Sequence, residues 1–204
     1  MPKEQARTRL ARAAVVEAAR VLFLERGYGA TTVEAISDQA GVPAATVYRL
    51  FSSKHGILKA LLDVSIVGDH EAVPMADRPA IRALAVDPHP REIIDGFVRV
   101  VAQVNARVAP LYRILTSAAS SEPEAAALLE GLTLQRQQGQ RMIARSLARA
   151  GSLRDGMRER DAADIIHALL SPELYGLLVV DRGWNAERYQ RWLSELLVEQ
   201  LLPD

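Results

Sequence analysis

Apolar residues in the first sixty positions recur three and four apart, the spacing that places them on one face of an α-helix. The first such stretch predicts a helix over residues 7–26, which Gly27 closes. Its predicted buried face consists of Leu10, Ala14, Val15, Ala18, Val21, Leu22 and Phe23. No apolar residue anchors Lys3, Arg7 and Arg9, so they predict a basic arm with a mobile tip. Each of these basic residues could contact a DNA phosphate or could only increase the solubility of the terminus.

Two short helices around a tight turn are predicted next, between residues 31 and 51. Thr31 and Thr32 are suited to cap the first of them, whose inner face is Val33, Ile36 and Ala40. Gly41 is suited to end it, and Pro43 suits the first turn of the second helix. The inward stripe of that second helix is Val47, Leu50 and Phe51.

The outer face of the second short helix is unlike an ordinary solvated surface. It offers two small residues, a hydroxyl, a phenol and one guanidinium, from Ala44, Ala45, Thr46, Tyr48 and Arg49. Alanines let a helix approach base edges and thymine methyl groups, and the other three can donate hydrogen bonds to phosphates or bases. The pattern therefore predicts a helix-turn-helix that contacts DNA. An ordinary helical hairpin with a half-buried Tyr48 is the alternative.

A fourth helix is predicted from Lys54 to about Val67, capped by Ser52 or Ser53. Its first amides and the Lys54 ammonium predict a clamp for a DNA phosphate. We also predict that Thr31 and Thr32 bind DNA.

The run from Ala40 to Leu58, AGVPAATVYRLFSSKHGIL, resembles the N-terminal domain of the TetR family of transcriptional regulators. The matching positions are Gly41, Val42, Thr46, Tyr48, Phe51, Lys54 and Leu58. The motifs F-x-x-x-G-Y at residues 23–28 and T-T-V-x-x-I at residues 31–36 also match. Pro43 and Gly56 depart from the pattern, since the family usually has a polar cap and often an acidic residue there. The resemblance implies a repressor that binds a palindromic operator as a homodimer and is released by a small, apolar ligand.

The stretch from Gly68 to Pro90 predicts loops around one short helix near residues 80–86, and with them a domain boundary. Its helix-breaking residues are Gly68, Asp69, Pro74, Asp77, Pro79, Pro88 and Pro90. We expect a DNA-binding domain over residues 1–67 and a ligand-binding and dimerisation domain over residues 68–204. The fourth helix is expected to be the only continuous link between them, and to tilt when a ligand binds.

The second domain is also predicted to be helical, and no strand pattern occurs in the chain. Pro90 begins a helix through about residue 107, and Pro110 opens another. The sequence Ser121-Glu-Pro-Glu predicts a capping box for a long helix that ends near Ala150.

The last two predicted helices, at about residues 160–180 and 186–202, are apolar on more than one face. Pro172 is expected to kink the first of them. Helices of this kind need more than one partner, and the TetR resemblance implies that they form a four-helix bundle with their copies, with Leu178 and Leu197 in the interface. Burial within one chain is the alternative.

Charge is unevenly distributed along a chain whose net charge is zero. Residues 1–59 hold nine basic and five acidic residues, whereas the remainder holds 16 basic and 20 acidic ones. A basic module followed by an acidic one favours DNA binding at the N-terminus. No run of 18 uncharged apolar residues and no signal peptide occur, which predicts a cytoplasmic protein without a membrane partner. The absence of cysteine excludes disulfides and thiolate sites.

No catalytic, metal-binding or cofactor motif is found, so we predict neither an enzyme nor a cofactor. His167 is the one histidine in an apolar predicted helix, where a hydrogen-bonded core histidine is favoured over a ligand or a base. Polar residues on apolar stretches of the second domain predict a site for a mostly apolar ligand. The residues proposed for it are Gln103, Tyr112, Thr116, His167 and Tyr175, with Asn105 as a further internal polar group.

The sequence thus predicts an all-α, two-domain, homodimeric repressor with an N-terminal three-helix DNA-binding domain and a C-terminal helical bundle. One alternative is a helical ligand-binding or enzyme domain that does not bind DNA, which the small, basic surface around Arg49 disfavours. The other is an architectural protein that coats DNA, which the acidic second half disfavours.

Overall fold

The computed structural model describes residues 2–68, 79–84 and 89–203, and every regular element in those ranges is a helix. The helices in chain order are α1 (Pro2–Ala30), α2 (Val33–Ala40), α3 (Ala44–Phe51), α4 (Lys54–Val67), α5 (Pro79–Leu84), α6 (Pro90–Ala119), α7 (Pro123–Arg149), α8 (Glu159–Leu169), α9 (Pro172–Tyr175), a π-helix (Gly176–Asp181) and α10 (Ala186–Leu201). The predicted all-α class is confirmed. The predicted loop residues Asp69, Pro74, Asp77 and Pro88, and the end of the predicted short helix, lie outside the described residues.

The described chain forms two compact units. The first comprises residues 1–65 and 110–129, and the second comprises residues 66–109 and 130–204. The divisions fall inside α4, α6 and α7, so three helices contribute residues to both units. Three helices thus connect these two units, whereas α4 was expected to be the only continuous link between domains divided at residues 67 and 68. The functional domain boundary at residues 67 and 68 stays a prediction.

Helix α1 contains a break at Gly27, whose φ of +79° is outside the helical range. Glycine tolerates this value because it lacks a Cβ atom. The predicted end of the helix at Gly27 thus corresponds to a real interruption. The predicted arm is helical from Pro2 onward, and Leu10 is 68% exposed, so its assignment to the buried face is wrong. The spacing of Leu10 fits that face, but none of the described helices covers it.

Helix α6 continues through Pro110, where two helices were predicted. A proline inside a helix removes one backbone hydrogen bond and costs about 3 kcal/mol. Val108, Ala109, Leu111 and Tyr112 on either side are all buried. Since each large apolar side chain contributes roughly 1.5–3 kcal/mol on full burial, packing is sufficient to hold the helix together.

The predicted capping box before α7 is not formed. The Ser121 hydroxyl donates to the Ala118 carbonyl oxygen at 3.4 Å, and Glu122 is the last residue before the helix begins at Pro123. The predicted start and end of this helix are otherwise confirmed to within two residues.

The core of the second unit is formed by α6, α7, α8, α9 and α10. Its fully buried members include Val98, Leu147, Leu170, Tyr189 and Leu193. This core covers one face of the last helices and leaves the other uncovered.

Helix α8 ends before Ser171, so the kink predicted at Pro172 is a complete interruption. The Ser171 side chain accepts a hydrogen bond from the Leu174 amide at 3.1 Å, and Pro172 is the first residue of α9. The carbonyl oxygen of Leu170 accepts from the buried Asn105 side chain at 3.3 Å.

Among the described residues, Glu159–Asp181 is the one stretch long and apolar enough to cross a membrane by length and composition. The interruption divides it, and Leu170 within it belongs to the core of the second unit.

Candidate functional site

The turn between α2 and α3 is held by backbone and side-chain hydrogen bonds. Gly41 adopts a left-handed conformation with a φ of +62°, and its amide donates to the Asp38 carbonyl oxygen at 3.2 Å. The Val42 amide donates to the Ser37 carbonyl oxygen at 3.1 Å, and the Ser37 hydroxyl donates to the Val42 carbonyl oxygen at 2.6 Å. These bonds give hydrogen-bond partners to carbonyl groups at the C-terminal end of α2, and they fix the direction in which α3 begins.

Helix α3 has one buried face and one exposed face. Val47 and Phe51 are buried, whereas Ala45, Tyr48 and Arg49 are exposed. Ala44 and Thr46 are half-buried beside them. Within the part of the chain that the structure describes, no hydrogen-bond or ion-pair partner engages the Arg49 guanidinium. The predicted outer face is therefore available to a partner.

The C-terminal end of α3 is attached to α1 through Arg12. Its Nη1 atom donates to the Leu50 carbonyl oxygen at 2.9 Å, and its guanidinium lies 4.6 Å from the centre of the Phe51 ring. Although Arg12 is exposed, this basic residue of the N-terminal segment thus helps to position α3.

Thr31 and Thr32 have different environments. Thr32 is exposed, and its hydroxyl oxygen caps α2 by accepting from the Ala35 amide at 3.1 Å. Thr31 is buried, and its hydroxyl lies near the carbonyl oxygens of Gly27 at 2.8 Å and Leu22 at 3.2 Å. The structure does not place Thr31 among the groups that can contact a phosphate, because its side chain is turned into the core.

Lys54 is engaged by the end of α1. Its Nζ atom donates to the Tyr28 carbonyl oxygen at 2.9 Å and lies 4.1 Å from the centre of the Tyr28 ring. Burial, with Glu122 and Glu124 nearby, raises the pKa of Tyr28 to about 12. The Lys54 ammonium has three N–H donors, so it can also donate to a phosphate while it keeps these two partners; its clamp role stays a prediction. Ser53 is the cap of α4, since its Oγ atom accepts from the Gly56 amide at 3.1 Å.

Glu34 is a neighbour of the DNA-facing surface that the sequence pattern did not reveal. The Tyr48 hydroxyl donates to its carboxylate at 3.2 Å, and the negative charge of Glu34 raises the pKa of Tyr48. The pairing joins residues 14 positions apart on two different helices. Periodicity within one helix carries no signal for such a contact.

The residues predicted to bind the ligand are divided between the two units. Gln103 is exposed, so the prediction that it is an internal polar group is wrong. Tyr112 and Thr116 belong to the first unit, where the Thr116 hydroxyl donates to the Tyr112 carbonyl oxygen at 2.9 Å. His167 and Tyr175 belong to the second unit.

His167 lies in a row of polar side chains with Arg136 and Gln140 of α7. Arg136 Nη2 is 3.1 Å from His167 Nε2, and His167 Nδ1 is 2.7 Å from Gln140 Oε1. Burial, followed by the nearby Arg136 charge, lowers the pKa of His167. The hydrogen-bonded histidine favoured from the sequence is confirmed. Arg136 and Gln140 were not predicted, because both occur among many polar residues of α7.

Among the described residues, no group of histidine and acidic side chains has the arrangement of a metal site.

Part of the N-terminal region is similar to a defined family of known proteins. Residues 15–61 match the family described as bacterial regulatory proteins, tetR family. An uncharacterised HTH-type transcriptional regulator, YvkB of Bacillus subtilis, is 42% identical over 48 residues, which are 24% of this chain and 25% of that protein. The chain thus matches about a quarter of the length of this curated relative.

The whole fold is shared with solved regulators. NalD of Pseudomonas aeruginosa, the secondary repressor of the MexAB-OprM multidrug efflux pump, superposes with a TM-score of 0.71 at 24% identity, covering 95% of this chain and 97% of NalD. A complex of SmeT from Stenotrophomonas maltophilia with triclosan gives a TM-score of 0.72 at 19% identity, covering 95% and 92%. At these identities the likeness concerns the fold.

Proposed function

We propose, from the match of residues 15–61 to the tetR family, that this chain is a member of that family and a transcriptional repressor controlled by a small molecule. As a homodimer it binds a near-palindromic DNA operator, and a ligand releases it. The proposal places the protein in the cytoplasm. That the chain is not an enzyme stays a prediction.

The observation that supports DNA binding is the exposed face of α3. Arg49 shares this helix with two alanines, a threonine and a tyrosine that are exposed or half-buried, and its guanidinium has no hydrogen-bond or ion-pair partner in the described residues. Small side chains permit close approach to the floor of a major groove, and an arginine can bind guanine O6 and N7 in a bidentate manner. Tyr48 can reach a phosphate once its hydroxyl leaves Glu34, a carboxylate that DNA would repel.

Homodimerisation is proposed through the last helices, because one α3 helix covers only one half-site. A dimer places two such helices about 34 Å apart, which matches one helical turn of DNA. Leu177 and Val180 of the π-helix are exposed apolar side chains in the single chain and are suited to this contact.

Ligand control is proposed for the second unit. SmeT, which shares the fold, has been solved with triclosan. A ligand releases DNA only if it binds more tightly to the conformation that does not fit the operator. Helices α4, α6 and α7 each contribute to both units, so a tilt of α4 is proposed to occur together with changes in α6 and α7.

DNA binding is tested by fluorescence anisotropy on a labelled duplex from the region upstream of the chain's own gene, with unlabelled unrelated DNA as competitor. We expect specific binding that weakens steeply with salt, because counterions are released from phosphates. Arg49→Ala should cost about 1–3 kcal/mol and relax the base preference at one position of each half-site.

The matched control is Arg149→Ala, which removes the same charge from an exposed position at the end of α7. It should leave operator affinity within about twofold, since a distant surface charge is screened at moderate salt. Equal loss in both variants, or no preference of the wild type for any upstream duplex over competitor, would contradict the proposed function.

A further inference from the structure

We infer that the second unit binds the carboxylate of a small, otherwise apolar acid through Arg136 and Gln140. This inference rests on the proposed function and names the chemical class of the ligand. The site is the row of side chains formed by Arg136 and Gln140 on α7 and His167 on α8.

The direction of every hydrogen bond in this row follows from the arginine. A guanidinium can only donate, so His167 Nε2, 3.1 Å from Arg136 Nη2, must accept. The other ring nitrogen of the neutral imidazole then carries the proton. It donates to Gln140 Oε1 at 2.7 Å, and the orientation of the Gln140 amide is thereby fixed.

The atoms left without hydrogen bonds are consequently all donors. They are Nε and Nη1 of Arg136 and Nε2 of Gln140, and each of them is buried. Gln140 itself is only 2% exposed. Buried donors are normally satisfied in folded proteins, so three unsatisfied donors on successive turns of one helix indicate a partner that supplies acceptor atoms. Ligand oxygens fit this requirement, whereas a ligand with only donor groups does not.

Charge selects an acid among such ligands. Arg136 is the cationic member of the row, and its nearest acidic group is Glu173, whose Oε2 atom is 3.9 Å from Nη1. That distance is too long for a hydrogen bond, and the Glu173 side chain is mostly exposed. Asp164, also close enough to act on His167, is exposed too. Arg136 is mostly buried, whereas its ion-pair partner Glu173 and the nearby Asp164 are exposed to solvent, which screens their charges. This arrangement favours a monoanion over a dianion or a cation.

The residues around Gln140 and His167 are apolar, which favours an acid whose remaining part is also apolar. Ile143 and Ala144 continue the face of α7 on which Gln140 lies, and Ile166 precedes His167 on α8. All three belong to the buried core of the second unit. Met142 packs against the same core, and its flexible side chain can adapt to a ligand. A carboxylate joined to a hydrocarbon chain combines both requirements.

The test uses the full chain and two probes that differ only in the head group, decanoate and 1-decanol. Isothermal titration calorimetry should show decanoate binding at least tenfold more tightly, since charge-assisted hydrogen bonds are about twice as strong as neutral ones. Arg136→Met and Gln140→Met should each weaken decanoate about tenfold or more and leave decanol within about twofold. Arg141→Met and Gln138→Met are matched controls, because both residues are exposed on the same helix, and they should leave both affinities unchanged.

A measurement on the unmutated protein covers the case in which the variants fail to fold. In protein with ¹⁵N-labelled arginine, decanoate should shift the Arg136 Nε–H resonance, and decanol should not. Equal affinity for the two probes, decanoate binding that both variants leave unchanged, or an unshifted Arg136 resonance at saturating decanoate would overturn the inference.

Operator affinity is measured on the same samples with and without each probe. If the protein binds its operator and decanoate fails, the ligand class is wrong and the proposed repressor function stands. If decanoate binds at Arg136 but no operator is found, the site stands and the proposed function fails.

Discussion

At the scale of single residues, Thr31 illustrates how burial decides the role of a side chain. Its hydroxyl lies among the backbone oxygens of Gly27 and Leu22, at the interruption in α1. Removing it leaves buried carbonyl groups with one partner fewer, which costs about 1–3 kcal/mol.

Thr31→Val, which keeps the shape of the side chain, should therefore lower the free energy of unfolding by about 1–3 kcal/mol in urea titration. The operator affinity of the folded protein and its salt dependence should not change. Thr32→Val is the control, because Thr32 is exposed and its loss costs only a helix cap of about 1 kcal/mol. A smaller salt slope in Thr31→Val alone would show that this hydroxyl contacts a phosphate.

At the scale of helices, His167 joins α8 to α7 in a neutral form. Burial and Arg136 hold the folded pKa of His167 below its ordinary value of 6.5. As the pH falls below about 6.5, His167 takes up a proton in the unfolded chain before it does so in the folded chain. The contribution of His167 to stability is thus present above about pH 6.5 and is lost as the pH falls toward its lowered folded pKa.

The free energy of unfolding of the wild type should accordingly decrease as the pH falls below about 6.5, and His167→Gln should flatten this decrease. Urea titrations at half-unit pH intervals measure the effect. His89→Gln removes one exposed histidine and serves as the control. An unchanged pH profile in His167→Gln would mean that other groups cause the acid sensitivity.

At the scale of the whole molecule, the two faces of the last helices have different roles. Leu197 is 2% exposed and belongs to the core of the second unit, so its predicted place in the dimer interface is wrong. Leu178 is half-buried against the same core. Leu177 is 52% exposed on the π-helix and is the better probe of assembly.

Leu177→Glu should produce monomers in analytical ultracentrifugation and abolish tight operator binding, because an unpaired charge in an interface costs several kcal/mol (roughly 2–7). The thermal stability of the monomer should change little. Leu24→Glu introduces the same charge at an exposed position of α1 and should remain dimeric. If Leu177→Glu is still a dimer, the proposed interface lies elsewhere.

Much of the helical architecture was determined by the sequence alone. The start of α4 at Lys54, the turn at Gly41 and the buried Val47 and Phe51 follow from periodicity, capping and glycine geometry. These signals are local, because residues three and four apart are neighbours in any helix. The outer face of α3 was predictable for the same reason, because it consists of the residues that are not on the buried face with Val47 and Phe51.

The tertiary structure decided which partner each side chain meets. Thr31 turns inward, Lys54 binds Tyr28, and α6 continues through Pro110, although the local patterns favoured other outcomes. His167 meets Arg136 and Gln140 across sequence separations of 31 and 27 residues. Such contacts depend on how helices rotate and pack against one another, and the apolar period of each helix is compatible with many such arrangements. Only the packed core selects one of these helix arrangements. The same packing determines where the unsatisfied donors of Arg136 and Gln140 point.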